Sequence, residues 1–267
     1  MTNSFAFYKQ SSMNYWFKFL GAAFGLVLMV SCDSSTNKTE GSAEQQNEGQ
    51  LSVEEPLLET PTFKKFQPEM NPDAILDIYN PFGNEDFEIG KVAFSFNIRN
   101  HGLGRNNPLM LSLNGGTSKP YTQPNFQLDL NKGTYRAVAY LLNGKGFALK
   151  EYGNYSVRDF TVGGSKPFPS EDAPYLILHL PNEAQVYPSN EPVVVDFLYL
   201  GGGPESDGVE VRVEVDDAVF TLTEVASVKI ENLSKGNHQL RVSLGDANSG
   251  KELDGIFSSH IRNIEIQ

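Results

Sequence analysis

The chain has 267 residues, of which 39% are hydrophobic, and its 33 acidic side chains against 21 basic ones give a formal net charge of −12. An acidic surface repels phosphate backbones, which argues against nucleic acid as a partner. A single cysteine, Cys32, excludes an intramolecular disulfide framework and any cysteine-rich zinc site.

Lys18 is followed by an uncharged apolar run over 19–30. At twelve residues it is about half the roughly 20 that a membrane-spanning helix needs, and it has the length of an export h-region. Residues before Met13 lengthen the n-region, whereas a start at Met13 gives a compact signal peptide. The run closes on MVSC at 29–32, which resembles the lipobox of bacterial lipoproteins. That resemblance implies that 1–31 is a lipoprotein signal peptide. It also implies that Cys32 is the lipidation site, bearing palmitate-type acyl chains, and that the lipid bilayer is a partner through it. The expected location is the bacterial cell envelope, lipid-anchored on the outer membrane at its periplasmic or surface face. Removal of 1–31 leaves a chain of charge −14 with no free thiol and no tryptophan, because Trp16 leaves with the peptide.

From 33 to 50 the sequence DSSTNKTEGSAEQQNEGQ has no Ile, Leu, Val or aromatic residue. Such a stretch cannot bury enough apolar surface to offset its ordering entropy. Residues 32–70 are therefore expected to form a flexible tether, stiffened towards its end by Pro56, Pro61 and Pro68, with a span of roughly 35 Å.

The remainder repeats once. VAFSF at 92–96 aligns with VDFLY at 195–199, LSLN at 111–114 with VEVD at 213–216, LNKGTY at 130–135 with LSKGNH at 233–238, and VRDFTV at 157–162 with IRNIEI at 261–266. Four blocks in one order, with single-residue gaps, define two domains at 71–165 and 174–267, separated by GGSKPFP at 163–169. Charge divides unevenly between them. Residues 71–165 stand at +1, whereas 166–267 carry 7 basic and 17 acidic side chains, or −10. Within the blocks apolar residues alternate with period 2: Val92, Phe94, Phe96 and Ile98 in the first, and Val209, Val211, Val213 and Val215 against Glu210, Arg212 and Glu214 in the second. Half-buried antiparallel strands at this spacing give an all-β fold of two tandem β-sandwiches. In both final strands the apolar phase breaks, at Val157 to Phe160 and Ile261 to Ile264, where a bulge is expected.

LNKGTY and LSKGNH resemble the corner before the penultimate strand of immunoglobulin-like and fibronectin type III domains. The resemblance implies that Tyr135 bonds back to upstream backbone, with His238 in its place in the second repeat. The arrangement as a whole resembles lipoproteins of Bacteroidota.

Chemistry-bearing patterns are sparse. His101, His179, His238 and His260 have no metal-ligand spacing, so no metal and no cofactor is expected. Glu205 with Asp207, and Asp216 with Asp217, read as solvated acidic turns ahead of calcium ligands. No general acid and base at glycosidase spacing, nucleophile elbow or phosphate loop occurs, so no catalytic residue is expected. The candidate ligand-binding loop is NGKGFALKEYGNY at 143–155, where Phe147, Tyr152 and Tyr155 with Lys145 and Lys150 could form a recognition ledge. The rival reading has Leu149 and Tyr155 capping the core. The counterpart loop at 244–253 resembles an LGDAN loop of small bacterial β-domains of unknown function; the paired histidines that those domains carry on an earlier strand are absent from this sequence, so no ligand is inferred. The expectation is a non-enzymatic envelope module that binds an envelope protein or a polysaccharide. Glycan capture in a polysaccharide-uptake system is the alternative, weakened by the loss of tryptophan.

Overall fold

A computed structural model describes residues 60–169 and 173–267. The signal peptide, Cys32 and residues 32–59 of the expected tether lie outside the described residues. The described residues belong to one compact unit.

Both repeats are β-sandwiches of one topology. In the first, β2 (Ile75–Asn80), β4 (Gly90–Arg99) and β7 (Asn125–Leu130) form a three-stranded sheet in the order β2-β4-β7. It packs on a five-stranded sheet made by β3 (Asp86–Phe87), β9 (Tyr155–Val162), β8 (Gly133–Leu141), β5 (Leu109–Leu113) and β6 (Lys119–Tyr121), in that order. In the second, β10 (Tyr175–Leu180), β12 (Val193–Leu200) and β15 (Ser227–Glu231) replace β2, β4 and β7. Opposite them lie β11 (Gln185–Tyr187), β17 (Ser259–Ile266), β16 (Gly236–Asp246), β13 (Val209–Val215) and β14 (Ala218–Leu222). This is the immunoglobulin-like arrangement, with β3 parallel to β9 and β11 parallel to β17.

Each sandwich has its own core, and the period-2 pattern decides what fills it. Val209, Val211, Val213 and Val215 are buried while Glu210, Arg212 and Glu214 point away. Phe94, Phe160, Leu109 and Leu141 fill the first core, and Phe197, Val213, Val228 and Leu240 the second. The corner is as the resemblance implied: Tyr135 Oη donates to the Asn131 carbonyl at 2.9 Å, and His238 Nε2 donates to the Ser234 carbonyl at 2.8 Å.

Three expectations require correction. The tether does not run unbroken to residue 70, because β1 (Thr62–Phe66) pairs antiparallel with β15 and becomes the fourth strand of the second sandwich. Phe63 supplies the reason: its ring stacks on Phe220 at 5.3 Å and packs against the second core, so five residues gain an apolar anchor and a ladder together.

The linker at 163–169 does not keep the sandwiches apart. A third apolar cluster joins Met110, Val138, Tyr140 and Leu142 of the first sandwich to Ile177, Leu198 and Leu200 of the second. Strand β8 is buried on both faces: Ala137, Ala139 and Leu141 enter its own core, while Val138 and Tyr140 face the neighbour. Strand β12 does the same with Phe197 and Tyr199 inward and Leu198 and Leu200 outward. The outer face of one sheet therefore stacks on the outer face of another, giving four layers.

The bulges are also elsewhere. Strands β9 and β17 pair with β8 and β16 without a register break. The phase change in β9 arises because Phe160 faces the core and Val157 faces the joint. Register shifts occur instead at Ile78/Asn80 and Leu178/Leu180, just before the cis bonds Asn80-Pro81 and Leu180-Pro181.

Candidate functional site

The loop at 143–155, open to two readings as a ledge or as a cap on the core, is mostly a joint, with Leu149 buried in the first core. Asn143 is buried and organises its start: Oδ1 accepts from the backbone N–H of Lys145 and of Phe147 at 3.0 Å each, and Nδ2 donates to the Glu69 carbonyl at 3.0 Å. Asn154, also buried, closes its end by donating to the carbonyls of Asn71 and Ala74 at 3.0 and 2.7 Å. Between them the loop reaches the second sandwich. Lys150 Nζ forms an ion pair with Asp196 and donates to Ser227 Oγ at 2.8 Å, Ser227 Oγ donates to Asp196 at 2.6 Å, and the Ala148 N–H donates to the second Asp196 oxygen at 2.7 Å. Asp196 has no exposed surface, so its charge is acceptable only because all these donors converge on it.

Each ledge residue can now be placed. Lys150 is sequestered on Asp196. Phe147 is half-buried, edge-on to Phe66 of β1 at 5.4 Å, and Lys229 Nζ lies over the Phe66 ring, 5.1 Å from its centre. Tyr155 opens β9 and packs against the joint cluster. Only Lys145 and Tyr152 are exposed, Tyr152 at 97%. The five residues are thus divided between a latch and solvent, and do not form one surface.

A second polar contact crosses the joint beside the ion pair. Tyr140 Oη donates to His179 Nδ1 at 2.9 Å, and His179 Nε2 donates to the Gly146 carbonyl at 3.0 Å. The carbonyl only accepts, so the proton of the neutral ring lies on Nε2. Burial pushes His179 below its ordinary value, against the opposing pull of Asp196 and the Gly146 carbonyl. Burial likewise raises the Tyr140 phenol. Gly115, at φ +67°, marks a further close approach: a Cβ there would come within 2.7 Å of the Phe257 ring in the second sandwich.

One open groove combines aromatic and polar groups. Arg136 binds Asp159 through two nitrogens at 2.8 and 2.7 Å, with its guanidinium 4.8 Å from the Tyr175 ring centre and 5.4 Å from that of Phe168. Burial pushes Tyr175 up to about 12, against the pull of Arg136. Around this pair runs a groove of about 410 Å³ that also touches Asn84, Arg158 and Phe82, the last 77% exposed. Sequence reading passed over these residues because Phe82, Arg136 and Tyr175 lie in three different segments.

The acidic loop is internally satisfied. Asp207, at the end of the single turn α1 (Pro204–Asp207), accepts from Tyr199 Oη at 2.6 Å and from the Gly202 N–H at 2.8 Å. Among the described residues no three His, Cys, Asp or Glu side chains come together.

No protein-family model matches this chain, and no curated protein does. Among solved structures it is similar to the fibronectin(III)-like modules of Clostridium thermocellum CbhA, at 19% identity over 72% of this chain and 94% of that one, with a TM-score of 0.28. Chicken VE-cadherin EC1-2 is similar at 11% identity over 69% and 98% of the two chains, with a TM-score of 0.23. The mixed-linkage glucan utilisation protein SGBP-B of Bacteroides ovatus, solved with a heptasaccharide, is similar at 8% identity over 69% and 65%, with a TM-score of 0.19.

Proposed function

We propose that this protein is a non-enzymatic binding or structural module of the bacterial cell envelope, anchored by lipid on Cys32 to the outer membrane. The observation that carries this reading is the joint between the sandwiches. The apolar cluster and the Lys150–Asp196–Ser227 contact join the sandwiches into one four-layer block that carries the loops of both. The buried titratable groups His179, Tyr140 and Asp196 serve packing in that joint. A Cys32→Ala variant should leave the membrane fraction or accumulate unprocessed, whereas processed protein still bound to membranes would refute the anchor.

A second reading, capture of a glycan, has one observation in its favour. Exposed Phe82 offers an apolar face beside the Arg136–Asp159 pair and Asn84, the mix of ring surface and hydrogen-bonding groups that a sugar needs. Phe82→Ala should then abolish retardation of the protein in polysaccharide-containing gels. Equal mobility of both proteins in every gel removes this reading.

A further inference from the structure

The repeat supplies its own template for a binding site. On the second sandwich, the edge of β15 is occupied by β1, with Phe63 opposite Ile230 and stacked on Phe220. On the first sandwich the matching edge, that of β7, pairs with no strand among the described residues. The pairing registers align the two edges residue by residue. Val92 faces Leu128 as Val195 faces Val228, and Leu111 faces Lys119 as Val213 faces Phe220. By register Leu130 therefore corresponds to Ile230, three residues before the Leu233 with which the sequence repeat aligns it, and Lys119 to Phe220. The place that Phe63 fills in the second sandwich corresponds to a slot of about 310 Å³ in the first, lined by Leu111, Leu113, Lys119, Tyr121, Leu128 and Leu130. A cavity of roughly 150 Å³ is enough to hold a benzene ring.

Among the described residues this edge is guarded by a single charge, Asp129. Strands left open in native sheets are commonly blunted by proline, lysine or a bulge, and β7, NFQLDL, has none of these. The Tyr121 ring, stacked on Phe126 at 3.7 Å, covers only one end of the opening. Charge specifies what comes next to an inserted aromatic. Lys64 of β1 stands opposite Lys229 and turns to Glu231 at 2.6 Å, whereas the position matching Lys229 on β7 is the exposed Asp129. A basic residue after the aromatic would face a carboxylate there, and with Lys91 opposite Asp129 on β4 the row of charges would alternate.

We propose that the free edge of β7 accepts an extended segment of a partner protein, adding it as a fourth strand with an aromatic side chain in the slot and a basic residue opposite Asp129. Main-chain bonds to the edge supply affinity and the slot supplies selectivity. The inference rests on the reading of the chain as a binding module, and its test does not involve Cys32, so failure of the anchor and failure of this site are separable.

The probe is a labelled synthetic peptide copying residues 60–68, TPTFKKFQP, titrated into the full chain and followed by fluorescence anisotropy. Saturable binding is expected, lost when the peptide carries Phe63→Ala. Asp129→Lys in the protein should weaken it about fivefold, and a peptide carrying Lys64→Glu should restore it on that variant. Absence of binding to the wild-type chain overturns the proposal. So does binding that Asp129→Lys leaves unchanged, which would mark exchange with β1 on β15. Concentration-dependent dimerisation abolished by Asp129→Lys would assign the edge to a second copy of this chain and overturn the partner segment.

Discussion

The two sandwiches have the same strand order but finish their smaller sheets differently. In the second, Ala226 is followed by β15, and the fourth strand arrives from outside the repeat, bringing Phe63 to complete the core. In the first, the register places Phe126 where the second has Ala226, and Phe126 stacks on Tyr121 and on Phe94 within its own sandwich. A bulky residue at the edge lets one sandwich close part of its opening by itself, and a small residue makes the other depend on a donated strand. Interior density can be reached by either route, because filling the space matters more than which segment supplies the atoms.

Removing β1 should separate the two most strongly. A chain truncated to begin at residue 67 loses a five-residue ladder and the burial of Phe63, which together are worth about 4–6 kcal/mol. Thermal or urea unfolding should show the loss, and amide exchange should place it in β15 and β12 while β4 and β7 keep their protection. Uniform loss of protection across both sandwiches would mean that the joint makes them one cooperative unit. The strand peptide added in trans should recover part of the stability.

The joint is the next test. Lys150→Ala leaves Asp196 buried without its cation and should cost about 3–5 kcal/mol, whereas Lys150→Met with Asp196→Asn, which removes both charges and keeps an acceptor for the Ala148 N–H, should cost less. A double-mutant cycle by urea denaturation reads the coupling. If Lys150→Ala costs under about 1 kcal/mol, the pair is no more than a surface contact and the sandwiches are held by the apolar cluster alone.

The cores and the corner were legible in sequence because they depend on local alternation and on a turn motif. VEVRVEV at 209–215 can place only one face inward, and Tyr135 reaches a carbonyl just four residues back. The joint left a trace that period-2 reading discounts: RAVAYLL at 136–142 and YLILHL at 175–180 are near-continuous apolar runs, the mark of strands buried on both faces. A lone carboxylate at Asp196 inside VVVDFLYL signalled a buried partner without naming it. Nothing local reveals β1, since Lys64 and its partner Glu231 lie 167 residues apart and TFKKF carries too short an alternation to stand out. For the same reason the choice between ledge and cap at 143–155 stayed open: its aromatic and basic residues were visible, but Asp196 and Phe66, which occupy two of them, were not adjacent in sequence.

Acid should act unequally on the two sandwiches, by the smallest of these effects. The second carries His179 and His260, both deeply buried and both pushed below the ordinary 6.5 chiefly by burial. For His179, Asp196 and the Gly146 carbonyl oppose that push while Lys150 adds to it; for His260, the Leu176 carbonyl opposes and Arg262 adds. The first sandwich has only the half-exposed His101, lowered by burial as well. Below 6.5 the unfolded chain takes up protons that the folded imidazoles resist, so the unfolded state holds more protons and stability rises with pH through that window. Stability is therefore fully present above 6.5 and is lost as pH falls below it, with a ceiling of about 1.4 kcal/mol per pH unit for each histidine. The exposed carboxylates Glu183 and Asp246, held below their ordinary values mainly by side-chain hydrogen bonds from Asn263 and Ser249, give up stability only in a lower window, as pH falls past about 4. Melts between pH 7.5 and 5 should thus decline from 6.5 downward, and His179→Gln should flatten the decline. Exchange should rise first in β10 and β17, before β2 and β4. A melting temperature that holds steady across this range, or exchange that rises first in the first sandwich, would show that the buried imidazoles of the second do not govern its response to acid.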